Sequence, residues 1–295
     1  MKGKKLIPWH PNNLVNWKDF YPNTILKINS NNYQEFTKYF DKSETFSDSF
    51  KGFKLIFLRG YYADFMPGNL KKPLRYFQKL GFEAQIAPLK SGADVDRNSL
   101  ILENYLHKQN RPYILLCHSK GGLDILTALA KNKINKNFLK GIIFSQTPSG
   151  ASTVMDQILS KNASTSFGDR VKNFCMRRFI YYTGHYPGGL NLTSNDFKKK
   201  NGVYDTLKAP CPIISVASWS IKASSWVDSY HRRLSEKLPG VAHDGQFYLK
   251  DQLWFKNTIE LILGGIDHAQ PAMGGLGFDH CRYWQTLLKM LEQRC

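Results

Sequence analysis

The sequence predicts an α/β fold in which a mostly parallel central sheet is covered by helices on both faces. Three observations predict it. Short apolar runs of strand length recur along the chain, among them Leu55-Ile-Phe-Leu58, Tyr113-Ile-Leu-Leu116 and Gly141-Ile-Ile-Phe144. Stretches with apolar residues at helical spacing separate these runs at the interval of βαβ units, which enclose parallel strands between two helical layers. The run at 113–116 stops abruptly at Cys117-His-Ser-Lys-Gly-Gly122 and continues as the helical pattern Leu123-Asp-Ile-Leu-Thr-Ala-Leu-Ala130, which makes strand, tight turn, helix.

In chain order, residues 1–50 are rich in Asn, Lys and aromatics, with one helix expected near Asn32 to Phe40. They read as an N-terminal extension packed on the main domain, which occupies 51–295. Leu55–Leu58 reads as a buried strand, Lys71–Leu80 as a helix, and Phe82-Glu-Ala-Gln-Ile-Ala-Pro88 as a second strand. Ser99–Leu106 has helical spacing and leads into the strand at Tyr113. After Gly141–Phe144 the alternation breaks. Residues of about 149–209, with helical pieces at Val154–Leu159 and Val171–Tyr181, read as an insertion above the sheet edge and a candidate cap or lid. The strand signal returns at Cys211-Pro-Ile-Ile-Ser-Val-Ala217. A long polar loop is expected through Trp219, Trp226 and His231 to Gly245, then a helix at Tyr248–Phe255, a last strand at Thr258–Leu263 and a terminal helix at Cys281–Glu292.

A hydrophobic content of 42% over 295 residues is enough for a large core, and 14% aromatics argue against disorder. The net charge of +18, from 41 Lys+Arg against 23 Asp+Glu, favours anionic surfaces, but no arginine-rich stripe or nucleic-acid motif accompanies it. No nucleic-acid partner is expected. The five cysteines form no C-x-x-C pair, which argues against a zinc site or disulfide framework and fits reduced thiols in a cytoplasm. The basic start of the chain is not followed by the apolar core of a signal peptide, and no stretch is long and apolar enough to span a bilayer. The expected compartment is cytoplasmic.

Ser119 sits at the tight turn, where a serine is pushed over the carboxyl edge of the sheet with the next backbone N–H free to meet an oxyanion. Serine is also a common helix N-cap, so the turn alone does not decide its role. A serine hydroxyl needs a base within hydrogen-bond reach and a carboxylate to orient that base. In an open parallel sheet all three belong on loops at the carboxyl ends of strands. Asp244 lies in the region after the strand at Pro212, and His268 follows the last strand. Asp228 is nearer the strand end and competes with Asp244; His280, in Gly-Phe-Asp-His280, competes with His268. His118 reads as structural, His185, His231 and His243 as surface histidines, and Lys120 as a solvent-facing residue at the helix start.

These residues make the chain resemble the α/β-hydrolase superfamily, and within it the lipase and esterase branch, over about residues 53–292. The resemblance rests on Leu55-Ile-Phe-Leu-Arg-Gly60, Cys117-His-Ser-Lys-Gly-Gly122, His243-Asp-Gly245 and Gly265-Ile-Asp-His-Ala269, in the order Ser, Asp, His. Cys117 stands where the G-x-S-x-G pattern has its first glycine. The resemblance implies that Ser119 attacks an acyl carbonyl, His268 moves the proton and Asp244 holds the imidazole. The backbone N–H groups of Tyr61 and Lys120 would meet the oxyanion, with no metal or organic cofactor required. It implies a carboxylesterase or lipase with a lid, acting on a small-molecule or lipid ester, with Tyr181, Tyr182, Trp219 and Trp226 as an apolar acyl pocket. The basic surface suggests docking on an anionic membrane. An acyltransferase or thioesterase with the same triad, and a hydrolase-like module that binds lipid without turnover, are the alternatives.

Overall fold

The structure, a computed structural model, describes residues 9–13, 16–26, 32–42, 45–131, 134–160, 166–204, 207–222, 228–254, 258–275 and 277–295. Six strands form one parallel sheet in the order β2-β1-β3-β4-β5-β6: β1 Lys54–Leu58, β2 Ala84–Ile86, β3 Tyr113–His118, β4 Leu139–Ser145, β5 Ile213–Trp219 and β6 Ile259–Gly264. Strand order reverses at β1, because β2 returns to one side of it and β3 lies on the other. Register is carried directly from strand to strand, with Leu58 paired to Cys117 and Cys117 to Phe144.

Alternation along each strand feeds two apolar layers. Ile56, Leu58, Leu115, Cys117, Ile142 and Phe144 enter one, and Leu55, Phe57, Ile114, Leu116, Ile143 and Leu261 enter the other. A strand buried on both faces has no polar face to show, so these segments read as continuous hydrophobic runs. On the first face lie α4 (Val95–His107) and α5 (Lys120–Ala130), which supply Leu102, Leu106, Leu123 and Leu126. The second face is covered by α1 (Tyr33–Asp41), α3 (Lys71–Lys79) and α12 (His280–Glu292), through Phe36, Phe40, Phe77, Trp284 and Leu287. The short α2 (Asp48–Lys51) adds Phe50 to the same layer. The segment preceding β1 thus contributes rings to a core that it shares with the C-terminal helix.

Between β4 and β5 lie α6 (Thr153–Leu159), α7 (Phe167–Tyr182), α8 (Tyr186–Leu190) and α9 (Ser194–Tyr204). Val154, Ile158, Ile180, Leu192 and Phe197 from this segment join the first apolar layer. Two expectations fail nearby. The stretch expected as a polar loop contains α10 (Asp228–Lys237), and the helix expected at 248–255 is only a short 3-10 turn, Leu249–Asp251. Tyr230 and Leu234, four residues apart, seat α10 in the core despite its otherwise polar composition. After β6 the chain turns through α11 (Gln270–Met273) into α12. No described helix is long and apolar enough to cross a membrane.

Candidate active site

β3 delivers Ser119 to the sheet's carboxyl edge in a strained backbone conformation, φ 53° and ψ −130°. A non-glycine residue holds such angles only where its surroundings over-determine them. The close approach of β1 is part of that constraint. A Cβ on Gly60 would lie 2.9 Å from the Cβ of Ser119, and one on Gly121 would lie 2.6 Å from the carbonyl oxygen of Leu58. Glycine at both positions lets the two backbones meet. Tyr61 directly follows Gly60 at this contact, and Lys120 directly follows Ser119 as the first residue of α5. First-turn N–H groups have no partner within their own helix and are available to an anion.

The loop after β6 brings His268 to the same edge. Its Nε2 lies 2.8 Å from Ser119 Oγ and its Nδ1 lies 2.7 Å from Asp244 Oδ2. Asp244 is fully buried and accepts two further bonds on Oδ1, from the backbone N–H of Gln246 at 2.9 Å and of Phe247 at 2.8 Å. The His268 backbone N–H also donates to the Asp244 carbonyl at 2.9 Å, so the two loops are tied by main chain as well as side chain. A carboxylate held this way fixes Nδ1 as the protonated ring nitrogen and leaves the Nε2 lone pair facing the hydroxyl. Among the rivals, the side chain of Asp228 lies outside the described residues. His280 opens α12, where burial pushes its pKa down to about 4.

His118 is buried beside Ser119. Its Nε2 faces two acceptors, the His268 carbonyl at 2.9 Å and Gln146 Oε1 at 3.3 Å, so this nitrogen carries the proton. Burial is the largest cause pushing its pKa down to about 3, reinforced by His268, and the ring is neutral. Gln146, itself at positive φ, donates onward to the Asp267 carbonyl at 3.0 Å. His118 and Gln146 thus brace the loop that carries His268 from below. Gln146 was not singled out from sequence; its position directly after an apolar strand was the available signal.

Several expectations about surroundings are corrected. Lys120 is not solvent-facing: its side chain is 1% exposed and pairs at 2.9 Å with Asp124, 2% exposed, one turn along α5. Burial raises the Asp124 carboxyl to about 6, against the opposing pull of Lys120 and Asn98. His185, His231 and His243 are buried, not surface, residues. His243 bonds Ser235 at 2.9 Å, and burial pushes its pKa down to about 3. His185 Nε2 lies 3.1 Å from Ser91 Oγ, which donates to Asp64 at 2.8 Å. Burial raises the Asp64 carboxyl, but bonds from Ser91 and the charge of Arg59 outweigh it and leave the pKa lowered. Burial pushes the Tyr61 hydroxyl far up, so it stays a neutral donor, bonded to the His185 carbonyl at 2.8 Å.

Ser119 is only 4% exposed and lines a cavity of about 430 Å³, to which the segment between β4 and β5 contributes side chains. Tyr61, Tyr62, Met155, Ile158, Met176, Phe179 and Phe247 line the cavity along with Ser119 and His268. The expected acyl pocket differs. Trp219 is fully buried in a separate cluster with Tyr21 and Leu249, Tyr181 and Tyr182 point outward from α7, and Trp226 lies outside the described residues. Among the described residues no group of three His, Cys, Asp or Glu side chains has the geometry to hold a metal.

No protein-family model matches the chain, and no curated protein matches it. Solved structures do resemble it. A lipase of Bacillus licheniformis, BlEst2 in its mature form, superposes with a TM-score of 0.61 at 17% identity, covering 84% of this chain and 94% of that one. A metagenomic carboxyl esterase, MGS0156, gives 0.65 at 13% identity, covering 85% and 78%. The phospholipase PlaB of Legionella pneumophila gives 0.55 at 10% identity, covering 81% and 57%. With its six-stranded parallel sheet, helices on both faces and a serine at the strained turn after β3, this chain has the α/β-hydrolase fold.

Proposed function

We propose that the protein is a serine hydrolase that cleaves carboxylic esters through an acyl-enzyme, with Ser119 as nucleophile, His268 as general base and acid, and Asp244 as the orienting carboxylate. The observation that carries this reading is the unbroken chain of hydrogen bonds from Asp244 through His268 to Ser119, opening on an apolar cavity. Ser119 Oγ attacks the ester carbonyl as its proton passes to His268 Nε2. The carbonyl oxygen becomes an oxyanion that accepts from the backbone N–H groups of Tyr61 and Lys120, each donor worth about 3 kcal/mol in the transition state. Collapse breaks the bond to the alcohol, whose oxygen takes the proton from Nε2. Water then enters by the same route in reverse, deprotonated by Nε2, and releases the carboxylic acid and Ser119.

The apolar lining suits the acyl chain of a lipid-like ester, and the segment at 149–209 acts as a cap over the site. Met155 and Ile158 of α6 and Met176 and Phe179 of α7 supply that part of the lining. The test is an alkyl fluorophosphonate probe read by peptide mass spectrometry. Covalent labelling at Ser119 is expected, lost in Ser119→Ala and strongly slowed in His268→Ala. Folded protein that takes no label at Ser119 would overturn the hydrolytic reading. A series of p-nitrophenyl esters then ranks acyl chain length, with longer chains favoured.

A further inference from the structure

α7 is amphipathic in the reverse of the usual sense. Its inward face carries Asp169, Asn173, Met176 and Ile180; Asn173 donates to the Gln157 carbonyl at 3.2 Å and accepts from buried Arg233 at 2.7 Å. Its outward face carries the large apolar side chains. Phe167 is 76% exposed, Val171 48%, Phe174 55%, Tyr181 64% and Tyr182 75%. Phe167, Val171, Phe174 and Tyr181 fall at intervals of four, three and seven residues, with Arg178 in the wider gap and Tyr182 beside Tyr181, and so make one stripe along the helix. Phe179, also half exposed, extends the patch to Phe65 with ring centroids 5.6 Å apart, and Tyr181 extends it to Tyr186 at 6.2 Å. A contiguous ring-bearing face of this kind marks an interaction surface.

Charge selects the partner. Arg170 and Arg178 stand exposed among the rings, and the guanidinium of Arg178 packs 5.6 Å from the Phe174 ring and 5.9 Å from the Tyr182 ring, whereas Lys172 lies over the buried Tyr230 ring. The single acidic residue of the helix, Asp169, is turned inward and bonded to Arg233 and Ser166. A second copy of this chain is a poor occupant, because its own +18 charge and the same arginines would face this surface. A surface that is anionic at its skin and apolar beneath accepts both kinds of side chain, the rings entering below the headgroups and the arginines remaining among them. The same helix reaches the cavity over Ser119 through Met176 on its other side, and Phe179 at its flank borders both the cavity and the outward patch.

We propose that the outward face of α7 docks the protein on an anionic lipid bilayer. This placement stands apart from the hydrolytic chemistry, and its test is arranged so that each can fail alone. The full chain carrying Ser119→Ala is sedimented with vesicles of phosphatidylcholine and with vesicles of equal parts phosphatidylcholine and phosphatidylglycerol. Binding is expected to the anionic vesicles, weakening as salt is raised. In that background Phe174→Ser with Tyr182→Ser should weaken partitioning at least tenfold, and Arg170→Gln or Arg178→Gln about fivefold each. All four side chains stand in solvent, so melting temperature should not move. With Ser119 intact, the paired ring variant should hydrolyse soluble p-nitrophenyl butyrate as the parent does. Equal binding to both vesicle types, binding unaffected by salt, or full binding by the ring variant overturns the proposal. A dimer of the free protein that the ring variant dissolves also overturns it, assigning the face to a second copy.

Discussion

Ser119, Asp244 and His268 are at most 9% exposed and are bonded to one another and to the backbone, whereas five large apolar side chains of α7, one layer above them, stand 48–76% exposed. The two regions share a cavity but obey different requirements. At the sheet edge the polar atoms must be fixed to fractions of an ångström, and the fold does so with main-chain ties such as His268 N–H to the Asp244 carbonyl. Above it, polar groups are turned inward to Arg233 and Gln157 while rings are left outside, an arrangement that suits a surface awaiting a partner. Preorganisation belongs to one region and incompleteness to the other.

The largest effect expected from this contrast is at Asp244. Asp244→Asn keeps the bonds from Gln246 and Phe247 within reach but presents a neutral amide to Nδ1, which disturbs the tautomer that Ser119 needs. The turnover rate should fall on the order of 10⁴-fold, with unfolding stability measured in urea changed far less than a cavity-forming core substitution would change it. A loss of tenfold or less would mean that the edge is not preorganised around this carboxylate.

Next in size is the buried pair Lys120–Asp124 in α5, which begins directly after Ser119. Lys120→Met leaves Asp124 facing only Asn98, and removing one partner of a buried pair costs about 3–5 kcal/mol at neutral pH. Replacing both, Lys120→Met with Asp124→Leu, should recover most of that loss. The pH dependence has a definite sign. Asp124 already sits at about 6 in the folded protein, above its unfolded value, so the folded state binds the extra proton as pH falls through that range. Loss of the Lys120 charge raises that carboxyl further, so relative to the parent Lys120→Met should regain stability as pH falls from 8 to 6, and below about 6 the two should run in parallel. A deficit that is the same at both pH values would place the cost elsewhere than on the stranded carboxylate.

The sheet and its edge were legible because their demands are local or periodic. Strands buried on both faces are written as unbroken apolar runs, and a turn that must pass under Leu58 is written as Gly121-Gly122. Asp244 and His268 stand out as candidates by their places after β5 and β6. The surroundings were not legible, for particular reasons. Lys120 and Asp124 are one helical turn apart in the sequence, but a solvated pair has the same spacing, and only the tertiary cover over α5 makes this one buried. The His185 environment draws on Ser91, 94 positions away. The sequence offers Tyr181 and Tyr182 for an acyl pocket, but a ring in a pocket and a ring in solvent look alike in sequence, and α7 turns both outward. α10 is hard to read from sequence because polar His231 and Arg233 share its buried side with Tyr230 and Leu234.

The smallest effect expected lies at the seam between the two regions, where His185 joins them. Its ring stacks on Tyr62 with centroids 4.9 Å apart and planes at 6°, and its Nε2 meets Ser91, which with Arg59 holds Asp64 in the loop that follows β1. The Tyr61 hydroxyl bonds the His185 carbonyl, so Tyr61, the oxyanion donor of the proposed mechanism, is held by this seam as well as by the sheet edge. His185→Gln loses the stacked ring and one of two ring hydrogen bonds, which should cost about 1–2 kcal/mol in stability. If the seam positions Tyr61, the variant should also lose roughly tenfold in kcat with little change in KM, since an oxyanion contact strengthens only in the transition state. Ser91→Ala should act in the same direction, and the double variant should fall short of the sum because both residues belong to one network. A stability loss with kcat unchanged would instead make His185 a fastener of α8 to the loop at Gly92, leaving the oxyanion site to the sheet edge alone.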